Sequence, residues 1–201
     1  MQIYADNAAT TKPCKAAIQA MVSCMEQNYG NPSSVHHIGQ AAAEALLQAR
    51  QDIAACLGCS AREIYFTSGG SEADNQALRS AAYAGAKEGK KHIISTVIEH
   101  HAILHTLKQL EEEGFSVTLL EVSKTGIVTP EQVAAAIRPD TCLVSVMFAN
   151  NEIGTIEPIA EIGAVCREKG VLFHTDAVQA VGHIPVDQVG GQAVLGRQLT
   201  A

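Results

Sequence analysis

Val171-Leu172-Phe173-His174-Thr175-Asp176 reads as a buried strand that delivers an aspartate to the carboxyl edge of a sheet. Gly170 stops the preceding helix pattern, and Gln179 follows Asp176 by one turn. An acid in such a place suits a dry, ionised carboxylate held against a cationic partner, such as a protonated pyridine nitrogen. A buried charge without a partner costs several kcal/mol. The alternative is a plainer one, in which Asp176 caps the residues 177–181 that follow it.

Outward from that strand, helix and strand patterns alternate toward the N-terminus. Helical spacing covers residues 14–27, 39–56, 71–87, 102–113, 130–137 and 158–169. Strand-like runs occupy 63–67, 92–96, 117–122, 142–148 and 171–175. Gly58, Gly114 and Gly170 stand where helices should stop, and Pro130 where one should start. Strands separated by helices imply an α/β fold with a mostly parallel sheet flanked by helices, whose ligands bind at the carboxyl ends of the strands. From Val189 to Ala201 no helix or strand period is evident, so this stretch reads as a tail.

Composition bounds the classes. With 47% hydrophobic and 17% charged residues in 201, the chain fills a core and is not a disordered segment. A net charge of -7 argues against a nucleic-acid footprint. No apolar run reaches the roughly 18 residues of a membrane span, and the start lacks a basic-then-apolar leader, so a cytoplasmic protein without membrane partners is expected. The six cysteines are then expected to be reduced. Cys56-Leu57-Gly58-Cys59 has metal or redox spacing, but no second pair accompanies it, and Gly58 gives it a simpler reading as a helix end.

The polar clusters fall at the expected strand ends. Thr67-Ser68-Gly69-Gly70-Ser71-Glu72-Ala73-Asp74-Asn75 follows a strand pattern and opens a helix. Glycines that let the backbone approach, hydroxyl donors and a helix N-terminus together suit a phosphate. The plainer reading is a cap, with Ser71 capping Asp74 in box-like fashion. Ile98-Glu99-His100-His101 closes the second strand, where a histidine can stack on an aromatic cofactor and carry protons near neutral pH. Adjacent histidines also raise a metal reading, but they project differently from a helix and no metal-ligand spacing completes a set, so no metal is expected. Asn150-Asn151-Glu152-Ile153-Gly154-Thr155 follows the fourth strand, where an amide can donate to a ring oxygen or simply form a turn.

Together these clusters resemble the cysteine desulfurases, class V pyridoxal-phosphate enzymes that take sulfur from L-cysteine and leave L-alanine. The matching segments are 6–11, 30–34 with His36, 66–73, Glu99-His100, 149–155 and 174–179. The resemblance implies a partial fold-type I PLP-transferase large domain. It assigns pyridoxal 5'-phosphate as cofactor, with Gly70 and Ser71 at the phosphate and His100 stacked on the ring as a catalytic residue. It places Asn151 and Gln179 near the ring oxygen and Asp176 on the ring nitrogen, which keeps the ring an electron sink. It also implies a homodimer and a sulfur-acceptor or scaffold partner in iron–sulfur assembly or thio-modification.

The family's Ser-x-His-Lys segment, whose lysine holds the aldehyde, has no match here, since no lysine follows Lys169. Its nucleophilic cysteine loop and carboxylate-binding arginine have no match either. The expectation is therefore an N-terminal fragment, inactive alone, ending in a tail that a frameshift or early stop would explain. Its parts are an arm or small-domain segment at 1–15, an incomplete cofactor-binding domain at 16–188 and a divergent tail at 189–201. The family's two later strands would lie between those ending at Thr67 and Thr175, so marginal stability or direct pairing of the two is expected. A selenocysteine lyase, another class V enzyme and a non-catalytic interaction module are the alternatives.

Overall fold

A thiol opens the first helix: Cys14 Sγ accepts the Ala17 N–H at 3.5 Å, ahead of α1, Lys15–Gln27. The computed structural model describes residues 3–184 and the backbone of 193–196. Helix α2, His37–Leu57, is capped by His36, whose Nδ1 accepts the Gly39 N–H at 3.3 Å. It ends at Gly58 with φ 64°, a left-handed turn that glycine enters without steric penalty.

The run 63–67, expected to be a strand, is not one. Its first residue belongs to a single 3-10 turn, Ala61–Glu63, closed by a capping box in which the Ser60 N–H donates to Glu63 Oε2 at 2.7 Å. The Ile64 N–H donates back to Ala61, and the Ile64 carbonyl accepts Arg50 Nε at 3.2 Å. Local bonds thus engage both backbone groups of Ile64, at the start of the run, that a sheet neighbour would need. Tyr65 is left 79% exposed and Phe66 lies under the Arg50 guanidinium. The chain divides into two compact units between Phe66 and Thr67.

The second unit holds the sheet. Helix α3, Gly70–Lys87, precedes strand β1, His92–Thr96, and helix α4, His101–Glu112, leads to β2, Ser116–Leu120. Helix α5, Pro130–Ala136, leads to β3, Thr141–Ser145, and α6, Ile159–Glu168, to β4, Leu172–Asp176. Strand β5, Ala193–Gly196, completes the order β2-β1-β3-β4-β5, with every neighbour parallel. β1 and β3 are buried along their whole length, with Ile93, Ile94, Leu143 and Val144 at their centres and polar residues at both ends.

Helices α3 and α4 lay Leu78, Ala82, Ile103, Leu107 and Leu110 on Ile93 and Leu143 of the sheet. Each such fully buried aliphatic side chain contributes about 1.5–3 kcal/mol. Contact is close enough that a Cβ on Gly85 would come within 2.3 Å of Cys142 Cβ, so only glycine fits where α3 crosses β3. Phe173 faces Gly163 of α6, and the strand alternation therefore turns His174 and Asp176 toward α3.

The outer edge of β4 pairs with β5, from Phe173 with Ala193 to Asp176 with Gly196. This corrects two expectations. The strand ending at Thr67 does not close on β4, and residues 193–196 carry a strand inside what reads as a structureless tail. A parallel neighbour needs only backbone donors and acceptors in register, which explains why side-chain periodicity gave no warning. The rest of the tail lies outside the described residues. Among the described residues no helix is long and apolar enough to cross a membrane.

Candidate active site

Four segments meet at the carboxyl edge of the sheet: the start of α3, the turn from β1 into α4, the loop after β3 and the turn after β4. Backbone bonds bind the last two together, with the Phe148 N–H on the Asp176 carbonyl at 2.8 Å and the Val146 N–H on the His174 carbonyl at 3.1 Å. Asn150 joins the loop to the β1 turn, since its Nδ2 donates to the Ile98 carbonyl at 3.0 Å. Its Oδ1 accepts the N–H groups of Glu152 and Ile153 at 2.8 and 3.1 Å, an Asx turn that fixes the neighbourhood of Asn151.

The start of α3 differs from the expected cap. Ser71 lies inside the helix, one residue after its first, and the N-cap is Gly69, which offers no side-chain bond. Instead the Ser68 N–H and hydroxyl both donate to Glu72 Oε2 at 2.6 Å, which holds that carboxyl below its ordinary range. Gly70 is buried and Ser71 exposed. The first-turn N–H groups of this 18-residue helix receive no side-chain cap from Gly69, the chemistry by which a helix start attracts an anion.

His100 caps α4 and is exposed, its Nδ1 accepting the Ala102 N–H at 3.2 Å. That bond places the proton of the neutral ring on Nε2. Asp176 is buried, and its Oδ1 accepts the Val178 N–H at 3.0 Å. Burial pushes the Asp176 carboxyl upward and the nearby Asp74 charge adds to this, while the Val178 bond, His174 and His100 pull it down. The residues after it form a turn and not a helix, and Gln179 sits half-buried within that turn.

The structure thus gathers Gly70 and Ser71, His100, the Asn150–Asn151 loop and Asp176 with Gln179 on one edge of one unit. It also gives buried partners to three ionisable residues whose segments the sequence singled out without assigning them a role. Asp74 and His174 are fully buried 3.6 Å apart, and His174 Nδ1 shares a hydrogen bond with Ser145 Oγ at 2.9 Å. Glu99 is buried, with Oε1 accepting from Thr96 Oγ1 at 2.7 Å and the Met147 N–H at 3.0 Å. Burial pushes its carboxyl up to about 8, against the pull of those two bonds. The strand alternation alone would have put His174 on the face of Asp176. Glu99 stands in the cluster that closes the second strand, but the sequence does not signal that its carboxyl is buried.

These residues fit pyridoxal 5'-phosphate. A buried carboxyl whose charge is opposed by burial calls for a cationic partner, and a pyridinium N–H is one. An uncapped helix start nearby suits the phosphate. The cysteines offer no activated thiol at this edge: burial pushes Cys142 upward and Cys166 up to about 12, and Cys59 is raised by burial and by Glu63. All six are free, with Cys14, Cys24, Cys56 and Cys59 exposed. Among the described residues no three His, Cys, Asp or Glu side chains gather as a metal set.

Comparison with known proteins bears on the same edge. The sequence pattern of the family described as Aminotransferase class-V matches residues 3–191. A cysteine desulfurase IscS of Methanosarcina thermophila is 53% identical over 185 residues, covering 92% of this chain and 46% of that protein. A putative cysteine desulfurase IscS 1 of Bacillus subtilis is 47% identical over 186 residues, covering 92% and 49%. Among solved structures, a NifS-like protein superposes with a TM-score of 0.90 at 39% identity, over 94% of this chain and 52% of its own. SspA in complex with cysteine superposes with a TM-score of 0.86 at 39% identity, over 90% and 52%. The chain spans about half the length of the curated relatives it matches.

Proposed function

The chain belongs to the class V aminotransferase family, and from that premise we propose that it carries the cofactor-holding part of a pyridoxal-phosphate-dependent cysteine desulfurase. The observation that supports this most is the buried Asp176 sharing one sheet edge with the start of α3, His100 and the Asn150–Asn151 loop. When bound, pyridoxal 5'-phosphate supplies an electron sink for the carbanion formed from L-cysteine.

The chain's own residues bind and orient. The N–H groups of Gly70 and Ser71, with the Ser71 hydroxyl, receive the phosphate. His100 lies against the ring face and holds its proton at Nε2, ready to move it, because Nδ1 is engaged by Ala102. Asn151 and Gln179 donate to the ring oxygen. Asp176 faces the ring nitrogen as a carboxylate and excludes water there by its burial. In a whole enzyme that also supplies the lysine and the nucleophilic cysteine, sulfur would pass to an acceptor protein, in a homodimer, in the cytoplasm. These last three features come from the likeness to the desulfurases.

The test is a titration of the 201-residue chain with pyridoxal 5'-phosphate. Saturable binding that borohydride does not make permanent is expected, since no lysine follows Lys169. Neither sulfide nor alanine should appear from L-cysteine above a mock purification. Absence of binding, or turnover by these residues alone, would overturn the assignment.

A further inference from the structure

Asp74 and His174 face one another sealed from water, with side-chain exposures of 2% and 1%. Asp74 Oδ1 and His174 Nε2 each lack a hydrogen-bond partner and face one another at 3.6 Å. The far side of the imidazole is held by Ser145 Oγ at 2.9 Å, so the ring cannot turn to seek another partner. Isolated buried polar atoms cost about 1–3 kcal/mol each, which makes the arrangement expensive for stability alone.

Its position gives it a use. Asp74 stands one turn into α3, beyond Gly70 and Ser71, and His174 stands two residues before Asp176 on the same face of β4. We propose that the Asp74–His174 pair, seated on Ser145, is a positioning device for Asp176. It ties the first turn of α3 to β4 and sets the charge that Asp176 presents to its cationic partner. The proposal rests on the cofactor reading above and adds to it two residues that do not touch the cofactor.

Electrostatics make the two members opposite in effect. Asp74 raises the Asp176 carboxyl and His174 lowers it. Among the described residues, the other ionisable groups beside Asp176 are His100 at the start of α4, which lowers it, and Glu99 in the turn from β1, whose own carboxyl Asp176 raises. A scaffold role alone would make loss of either member act in the same direction.

The test labels aspartate at 13Cγ in the cofactor-free 201-residue chain and follows the Asp176 resonance with pH, assigned through Asp176→Asn. Asp74→Asn is expected to lower its titration midpoint, and His174→Gln to raise it, each by roughly one unit. If His174→Gln does not fold, Ser145→Ala carries the test with a smaller upward shift, because it frees the ring without removing it. Binding of pyridoxal 5'-phosphate at neutral pH should weaken about tenfold in His174→Gln, following the loss of Asp176 charge. Shifts in one direction, or none, would overturn the proposal. Opposite shifts in a chain that does not bind pyridoxal 5'-phosphate would uphold the pair and sink the cofactor assignment instead.

Discussion

Two histidines are buried in this sheet, and their surroundings differ. His92 opens β1 at the amino edge, with Nδ1 on Thr141 Oγ1 at 2.7 Å and Nε2 on Thr118 Oγ1 at 2.9 Å. Both ring nitrogens have neutral hydroxyl partners, and burial lowers the tendency of the ring to ionise. His174 lies near the carboxyl edge, with one nitrogen on a hydroxyl and the other facing a carboxylate it does not bond. The amino edge is satisfied and holds the fold together. The carboxyl edge keeps buried acids, Asp74, Glu99 and Asp176, in an arrangement that a ligand would complete.

The contrast breaks most sharply at Asp176. Replacing it by alanine should weaken pyridoxal 5'-phosphate binding by at least about a hundredfold, in line with the 3–5 kcal/mol lost when one partner of a buried pair is removed. Chemical unfolding should show no loss of stability, since burial already opposes the charge of Asp176. The reverse pattern is expected at the amino edge. His92→Ala should cost about 2–3 kcal/mol in urea unfolding, through lost packing and two stranded hydroxyls, and leave cofactor affinity unchanged.

Glu99 gives the carboxyl edge a pH signature. Its carboxyl titrates near 8 in the fold and at 4.5 in its ordinary state. Below 4.5 it is protonated in both folded and unfolded chains and has no pH-dependent effect. Between these values the fold keeps a proton that the unfolded chain has released, so stability falls as pH rises toward 8. At about 1.4 kcal/mol per unit the loss across this window is on the order of 5 kcal/mol, Asp176 adds to it in the same sense, and unfolding at the two ends of the window should show it. Glu99→Gln should flatten the slope. The finest cut is Thr118→Val, expected to cost about 1 kcal/mol of stability by removing one hydroxyl from His92, with no effect on binding.

Much of this was legible in the residues. Pro130, Gly58, Gly114 and Gly170 mark helix ends because their backbone limits act locally, and β1, β3 and β4 each carry a short apolar run, at residues 93–94, 142–144 and 171–173, that suits a sheet interior. Asp176 was legible as the polar end of such a run. Residues 63–67 misled because four of the five are β-branched or aromatic, while a capping box at Ser60 turns Glu63 into a 3-10 turn and Arg50 takes the Ile64 carbonyl. β5 went unseen because strand addition to an open edge depends on the neighbour more than on the added sequence. The Asp74–His174 pair was hidden for another reason. Its members are 100 positions apart, and only the crossing of α3 over the sheet brings them together.

The most direct measurement is amide chemical-shift mapping of the 15N-labelled chain during addition of pyridoxal 5'-phosphate. Saturating shifts are expected at Gly70, Ser71, His100, Asn151, Asp176 and Gln179, while His92, Thr118 and Thr141 stay still. Shifts centred on the amino edge, scattered over both edges, or absent at millimolar cofactor would contradict a cofactor site at the carboxyl edge of this sheet.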